Sequence, residues 1–198
     1  MEQPVLETPR LLLRPFVLAD AADVQRLAGA PEVADTTLNL PHPYREGVAE
    51  AWIGSHASRF AEGGGVNYAI TFRADGALMG SISLIVTRQH RRAELGYWLG
   101  VPFWGQGYMT EAAGALVARG FALLDLHKIE ATHMTRNPAS GRVMEKVGMT
   151  LEGLLREHVF KNGGLEDLAV YGILESGRAV ETAPTRSQSP PSWTQTPV

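Results

Sequence analysis

The chain has 198 residues, 18 Lys and Arg against 21 Asp and Glu, no cysteine, 21 glycines and 12 prolines. At roughly 100 to 200 residues per domain, this length makes one domain with its own core, without need of disulfides or a structural metal. The absence of cysteine excludes disulfide scaffolds, thiolate nucleophiles and cysteine zinc sites. A net charge of -3 argues against a nucleic-acid partner, which normally meets a basic excess.

The first ten residues lack the positive start and apolar centre of a secretory leader, and no apolar run reaches the roughly 18 residues of a membrane span. A cytoplasmic setting with no membrane partner is therefore expected. Glycine exceeds its usual share of about 7%, which directs attention to positions of tight turning.

In chain order, Arg10 to Arg14 before Pro15 reads as a short strand, and Asp20 to Ala28 repeats Ala21, Val24, Leu27 and Ala28 at helical spacing. Pro31 to Tyr44 is turn-rich. Arg45 to Ala61 places Val48, Ala49, Trp52, Ile53 and Phe60 at three-four spacing, predicting a second helix before Gly63-Gly64-Gly65. Val66 to Arg73, Leu78 to Val86 and Arg92 to Leu99 are β-rich, the first two joined by the turn Ala74-Asp75-Gly76-Ala77. Types then alternate: helix over Thr110 to Leu124, strand over Lys128 to Thr135, helix over Ser140 to Val147. Strands near Thr150 to Phe160 and Leu165 to Leu174 close the fold, joined at Asn162-Gly163-Gly164. A helix leaving Leu99 and returning at Lys128 implies a parallel strand pair with a right-handed crossover. Glu181 to Val198, with seven Ser and Thr and four Pro, is expected to be a disordered tail, so the domain is assigned to residues 1–180.

Between strand and helix lies Val101-Pro-Phe-Trp-Gly-Gln-Gly-Tyr-Met-Thr110. Gly105 and Gly107 at such a junction let successive N–H groups point into one concavity, where the helix dipole adds partial positive charge. That is a site for a phosphate or pyrophosphate. No Lys completes a P-loop, and position 110 of a dinucleotide fingerprint is Thr instead of Gly.

Ala93-Glu-Leu-Gly-Tyr-Trp-Leu99, Trp104-Gly-Gln-Gly-Tyr-Met-Thr-Glu-Ala112, Asn137-Pro-Ala-Ser140 and Glu145-Lys-Val-Gly-Met149, in this order, resemble the GNAT N-acetyltransferases. Within them the chain is similar to the RimJ/RimL branch, which acetylates protein N-termini; Arg10-Leu-x-Leu-Arg14 and Gly164-x-x-Asp167-x-x-x-Tyr171 carry that likeness to both ends of the domain. One departure is Met109, bulkier than the family pattern has beside the pyrophosphate.

The resemblance implies an α+β GNAT fold: a mixed, mostly antiparallel twisted sheet of about seven strands, flanked by about four helices, with a splayed central parallel pair. It implies acetyl-CoA as acyl donor, its pyrophosphate held by the loop and helix start at Gln106, Gly107, Tyr108, Met109 and Thr110. The pantetheine arm would lie in the splay, with Gly96 as a bulge, an N–H near Trp98 or Leu99 polarising the thioester carbonyl, and Asn137 bonding the arm unless it only caps a helix. Ser140 would protonate or hydrogen-bond the departing thiolate, unless it too serves as a cap.

An attacking amine must be neutral, so an α-amine of pKa near 8 has to lose a proton. Glu94 is the first candidate base, with salt bridging to Arg91 or Arg92 as its alternative role; Glu130, His158 and Asp167 are the other candidates. Histidine as a residue type changes charge near neutral pH, which suits the task. His42, Tyr44 and Trp52 are candidate acceptor contacts, and His158 another. The six His show no metal-binding spacing, so no metal is expected. Acetyl transfer by direct attack of a primary amine follows, with a protein or peptide N-terminal α-amine as acceptor. The alternatives are a small-molecule amine (amino sugar, polyamine or amino acid) and a non-catalytic acyl-CoA-binding module. A monomer and a homodimer both remain open.

Overall fold

A computed structural model describes residues 2–177; the expected tail from Glu181 lies outside them. Two short strands open the fold, β1 (Leu6–Glu7) and β2 (Leu11–Pro15), followed by helices α1 (Ala21–Ala28), α2 (Pro31–Thr36), α3 (Val48–Gly54) and α4 (His56–Ala61). An antiparallel meander follows, β3 (Gly65–Phe72), β4 (Leu78–Thr87) and β5 (Arg92–Leu99). Then come α5 (Tyr108–Leu124), β6 (Lys128–Met134), α6 (Pro138–Lys146), β7 (Thr150–Lys161) and β8 (Gly164–Leu174).

One sheet runs β1-β2-β3-β4-β5-β6-β8-β7, with β5 and β6 its parallel pair. It has one strand more than expected because β1 is two residues long, too short for any periodicity to register. Among the described residues there are also six helices, where about four were expected. The turn-rich segment folds into α2, with Pro31 pre-set for the first helical turn. The single helix predicted over Arg45 to Ala61 starts later and divides at Ser55, whose hydroxyl donates to the Trp52 carbonyl at 2.7 Å and competes with the regular ladder.

Both faces of the sheet are covered. On one, α5 lays Ala112, Ala113, Leu116, Val117 and Phe121 against Tyr68, Ile70, Ile82, Leu84 and Ile129. On the other, α1 and α3 bury Val24, Leu27 and Ile53 against Ala69, Leu78 and Trp98. Burying a Leu or Ile side chain contributes about 1.5–3 kcal/mol, so these two layers hold β5 firmly from above and below.

The parallel pair is short. Arg92, Ala93 and Glu94 pair with Lys128, Ile129 and Glu130, after which β5 stays with β4 and β6 stays with β8. Past Glu94 the two strands part, leaving backbone without a partner in the middle of the sheet. The register of β4 with β5 is unbroken from Gly80↔Leu99 to Thr87↔Arg92, so Gly96 makes no bulge there; the opening comes from β6 leaving, not from an extra residue in β5.

Candidate functional site

At the end of β5 the chain passes through a single 3-10 turn (Val101–Phe103) into the glycine loop and α5. Gly105 and Gly107 take φ of +74° and +79°, a left-handed conformation that glycine alone adopts without strain. Gly107 is the N-cap of α5, and the first helical N–H groups after it have no intrahelical acceptor. Their free donors and the helix dipole suit a pyrophosphate.

The loop is braced from behind. Arg10 reaches from the β1–β2 turn to pair with Glu111 at 2.6 Å, donates to the Gln106 carbonyl at 3.1 Å and stacks 4.3 Å over the Tyr108 ring. Burial opposes ionisation of Glu111, but hydrogen bonds from Thr8 and Arg10 outweigh it and hold the carboxyl below its usual range. The Trp104 indole donates to the Leu99 carbonyl at 2.6 Å and ties the loop to the strand it follows.

A cavity of about 450 Å³ opens in front of this loop. Trp98, Leu99, Gly107, Tyr108, Met109, Thr110, Asn137 and Ser140 all line it. Gln106 does not; its amide donates to the Pro102 carbonyl at 3.0 Å, and Gly105 faces the cavity in its place. Met109, for all its bulk, is only 8% exposed and belongs to the core under α5. Asn137 also caps α6, its side-chain oxygen accepting from the Ser140 N–H at 3.4 Å. Arg142 and Lys146 line the same cavity from α6. Their i, i+4 spacing one turn past Ser140 was a signal available in the sequence, and as exposed cations they suit the phosphates of coenzyme A.

On the other side of β5 lies a second cavity of about 460 Å³. Glu94, Tyr44 and Trp52 line it, together with Arg59, Asn67, Ser81, Ser83 and His133. Thr36, Thr37, Tyr97, Trp98 and Ser140 line both cavities and form the wall between them. Thr36 and Thr37 hang from the end of α2, which Arg136 secures: it pairs with Asp35 at 2.7 Å and with Glu166 of β8 at 2.7 Å, while Asn162 of the β7–β8 turn donates to Asp35 at 2.6 Å.

Glu94 is exposed toward this cavity and takes part in no ion pair among the described residues. Its basic neighbours are engaged elsewhere, Arg91 with Asp125 at 2.7 Å and Arg92 with Glu130 at 3.1 Å. Asp167 accepts from the Glu157 N–H at 2.7 Å, and neither it nor Glu130 lines either cavity. His158 sits in the irregular stretch of β7 between Leu155 and Val159, exposed and away from both cavities. His42 is likewise outside them, in a shallow depression with Pro43 and Ala22.

Tyr97 went unnoticed as a site residue, although the quoted motif contains it. Its hydroxyl lies 2.8 Å from Ser140 Oγ and donates to the Ser140 carbonyl at 3.0 Å. Burial pushes its pKa up to about 12, against the opposing effect of the Ser140 hydrogen bond, so the ring stays neutral and protonated. At the second cavity, Trp52 packs edge-on to Phe16 and His56. Burial, aided by the Arg59 charge, pushes the His56 pKa down to about 4.

Among the described residues no three His, Asp or Glu gather where a metal could be held, and no helix is long and apolar enough to cross a membrane. The family described as acetyltransferase (GNAT) domain matches residues 10–150. The uncharacterized N-acetyltransferase YoaA of Bacillus subtilis is 33% identical over 87% of this chain and 97% of its own. The putative ribosomal N-acetyltransferase YdaF of the same organism is 32% identical over 73% of each. Spermidine N(1)-acetyltransferase of Escherichia coli is 31% identical over 45% of this chain and 48% of its own. Among solved structures, the ribosomal L7/L12 acetyltransferase RimL in complex with coenzyme A superposes with a TM-score of 0.81 at 19% identity, covering 88% of this chain and 100% of that one. Fold, loop and relatives agree on an acetyl-CoA-dependent N-acyltransferase: the chain belongs to the GNAT family of acetyltransferases, in its RimJ/RimL-like branch.

Proposed function

We propose that the chain acetylates the N-terminal α-amine of a protein or peptide, by direct attack within a ternary complex in the cytoplasm. The single observation that carries this reading is the pair of cavities meeting at one wall, a glycine loop on one side and an unpaired carboxylate on the other. The name of the relative YdaF supports the protein acceptor.

Bound acetyl-CoA supplies the activated acetyl group as a thioester. Gly105, Gly107 and the first N–H groups of α5 hold the pyrophosphate, with Arg142 and Lys146 adding charge at the mouth. The parted edge of β5 offers its backbone to the pantetheine arm, and an N–H near Trp98 or Leu99 polarises the carbonyl. Glu94 stands four residues before Trp98 on β5, about 13 Å along the strand, so the carboxylate takes the proton of the amine through a chain of bridging waters. Ser140 presents its hydroxyl toward the leaving sulfur, and Tyr97, neutral at working pH, holds that hydroxyl in place through its contact at 2.8 Å. Tyr44 and Trp52 flank the acceptor.

The test is acetyl-CoA turnover read as thiol release, with a panel of peptides, amino acids, amino sugars and polyamines. Release with peptide α-amines above all others is expected. Tight coenzyme A binding with no release from any amine overturns the catalytic reading in favour of a binding module.

A further inference from the structure

Arg10 lines neither cavity, yet its side chain converges on the start of α5 and the loop before it. The guanidinium sets Nε on Glu111 at 2.6 Å, Nη1 on the Gln106 carbonyl at 3.1 Å and its face on the Tyr108 ring at 4.3 Å. The Arg10 backbone N–H donates to the other Glu111 oxygen at 2.9 Å, and the Thr8 hydroxyl donates to that same oxygen at 2.7 Å. With 43% of the Arg10 side chain exposed, such an ion pair adds little to stability. It acts instead on the glycine loop, in two ways.

The first is orientation. Among the described residues only His42-Pro43 is a cis peptide bond, so the Gln106–Gly107 peptide is trans, and a planar trans peptide points its C=O and its N–H to opposite sides. By holding the Gln106 carbonyl, Arg10 turns the Gly107 N–H away from itself, and Gly107 lines the cavity in front of the loop. That N–H donates to no acceptor among the described residues. The second is charge. Glu111 lies in the first turn of α5, where its ionised carboxylate favours the helix but repels an anion arriving at the same end. Arg10 cancels that charge, which leaves the helix dipole and the free N–H groups to face the pyrophosphate.

We propose that Arg10 is a positioning residue for coenzyme A binding: it orients the Gln106–Gly107 peptide and neutralises Glu111 without touching the coenzyme. This rests on the pyrophosphate lying at the glycine loop, and it holds whichever amine is acetylated.

Calorimetry on the full chain tests it without turnover, with coenzyme A and pantetheine, which lacks the phosphates, as the two probes. The parent should bind coenzyme A far more tightly; equal binding of the two would take the pyrophosphate out of the loop and remove the ground of the proposal. Arg10→Gln should weaken coenzyme A about tenfold, the size of one lost charge-assisted hydrogen bond, and leave pantetheine unchanged. Arg10→Lys keeps the charge but cannot hold Glu111 and the Gln106 carbonyl together, so it should recover part of the loss. Adding Glu111→Gln to Arg10→Gln should also recover part, because the uncancelled carboxylate is gone. Coenzyme A bound by Arg10→Gln as tightly as by the parent overturns the proposal, and so does an equal loss for pantetheine, which marks general damage to the fold. A double variant no tighter than Arg10→Gln strikes the charge role. Absence of thiol release in the separate turnover assay strikes the catalytic reading, and calorimetry still decides the role of Arg10.

Discussion

The two cavities beside β5 are built by opposite means. The side proposed for the coenzyme is made mainly of backbone: two left-handed glycines, the open N-terminus of a 17-residue helix and the parted edge of a strand, locked from behind by Arg10 and Glu111. The side proposed for the acceptor is made of side chains from short elements, Tyr44, Trp52, Arg59, Asn67, Ser81 and Glu94, drawn from the loop before α3, from α3 and α4 and from three strands. Backbone recognition suits a ligand that stays the same, because exchange of side chains outside the left-handed glycines leaves it intact. Side-chain recognition can be altered one residue at a time, and this suits a family that shares its donor while differing in acceptor.

That contrast can be broken or sharpened by substitution. The largest effect is expected for Glu94→Gln, which removes the proposed base and should lower kcat by about 10³ at pH 7 while leaving the coenzyme A dissociation constant alone. A rate and pH profile like the parent's would move the base elsewhere. Gly107→Asp should act on the other half, weakening coenzyme A about 100-fold through a side chain at positive φ and a negative charge against the pyrophosphate. Equal affinity in that variant would remove the glycine loop from the binding site.

Smallest is a stability effect below the acceptor wall. Folded His56 titrates near 4 against 6.5 for the free side chain, so its contribution is present above pH 6.5 and is lost as pH falls toward 4. From pH 7 to pH 5 the loss amounts to about 2 kcal/mol. His56→Leu should flatten this part of the denaturant-unfolding curve against pH, and an unchanged slope would assign the acid sensitivity to other groups.

Legibility in the sequence divides along the same line. The glycine loop, β5 and its partner β6 were readable because turn chemistry and hydrophobic period are local properties, and Arg92–Leu99 forms the strand predicted for it. The splay was reached only through the family resemblance, and the Gly96 bulge proposed for it is not there. Asn67 and Ser81 gave no sign, since a polar residue in a strand pattern reads as a solvent-facing position until the sheet's other layers are known. Tyr97 was hidden by the opposite rule, an aromatic among apolar neighbours reading as core. His42 and His158 drew attention for their chemistry, but neither lines the two cavities, and that placement is a property of the fold that neither residue type nor spacing reveals.

Thr36 and Thr37 belong to both cavities, and their helix is fastened by Arg136 and Asn162 to the far edge of the sheet. The two cavities therefore share a ceiling, and that ceiling has a remote anchor. A change at Asp35 or Arg136, which line neither cavity, would register in the apparent Michaelis constants of both substrates at once, a kinetic signature distinct from damage to either floor.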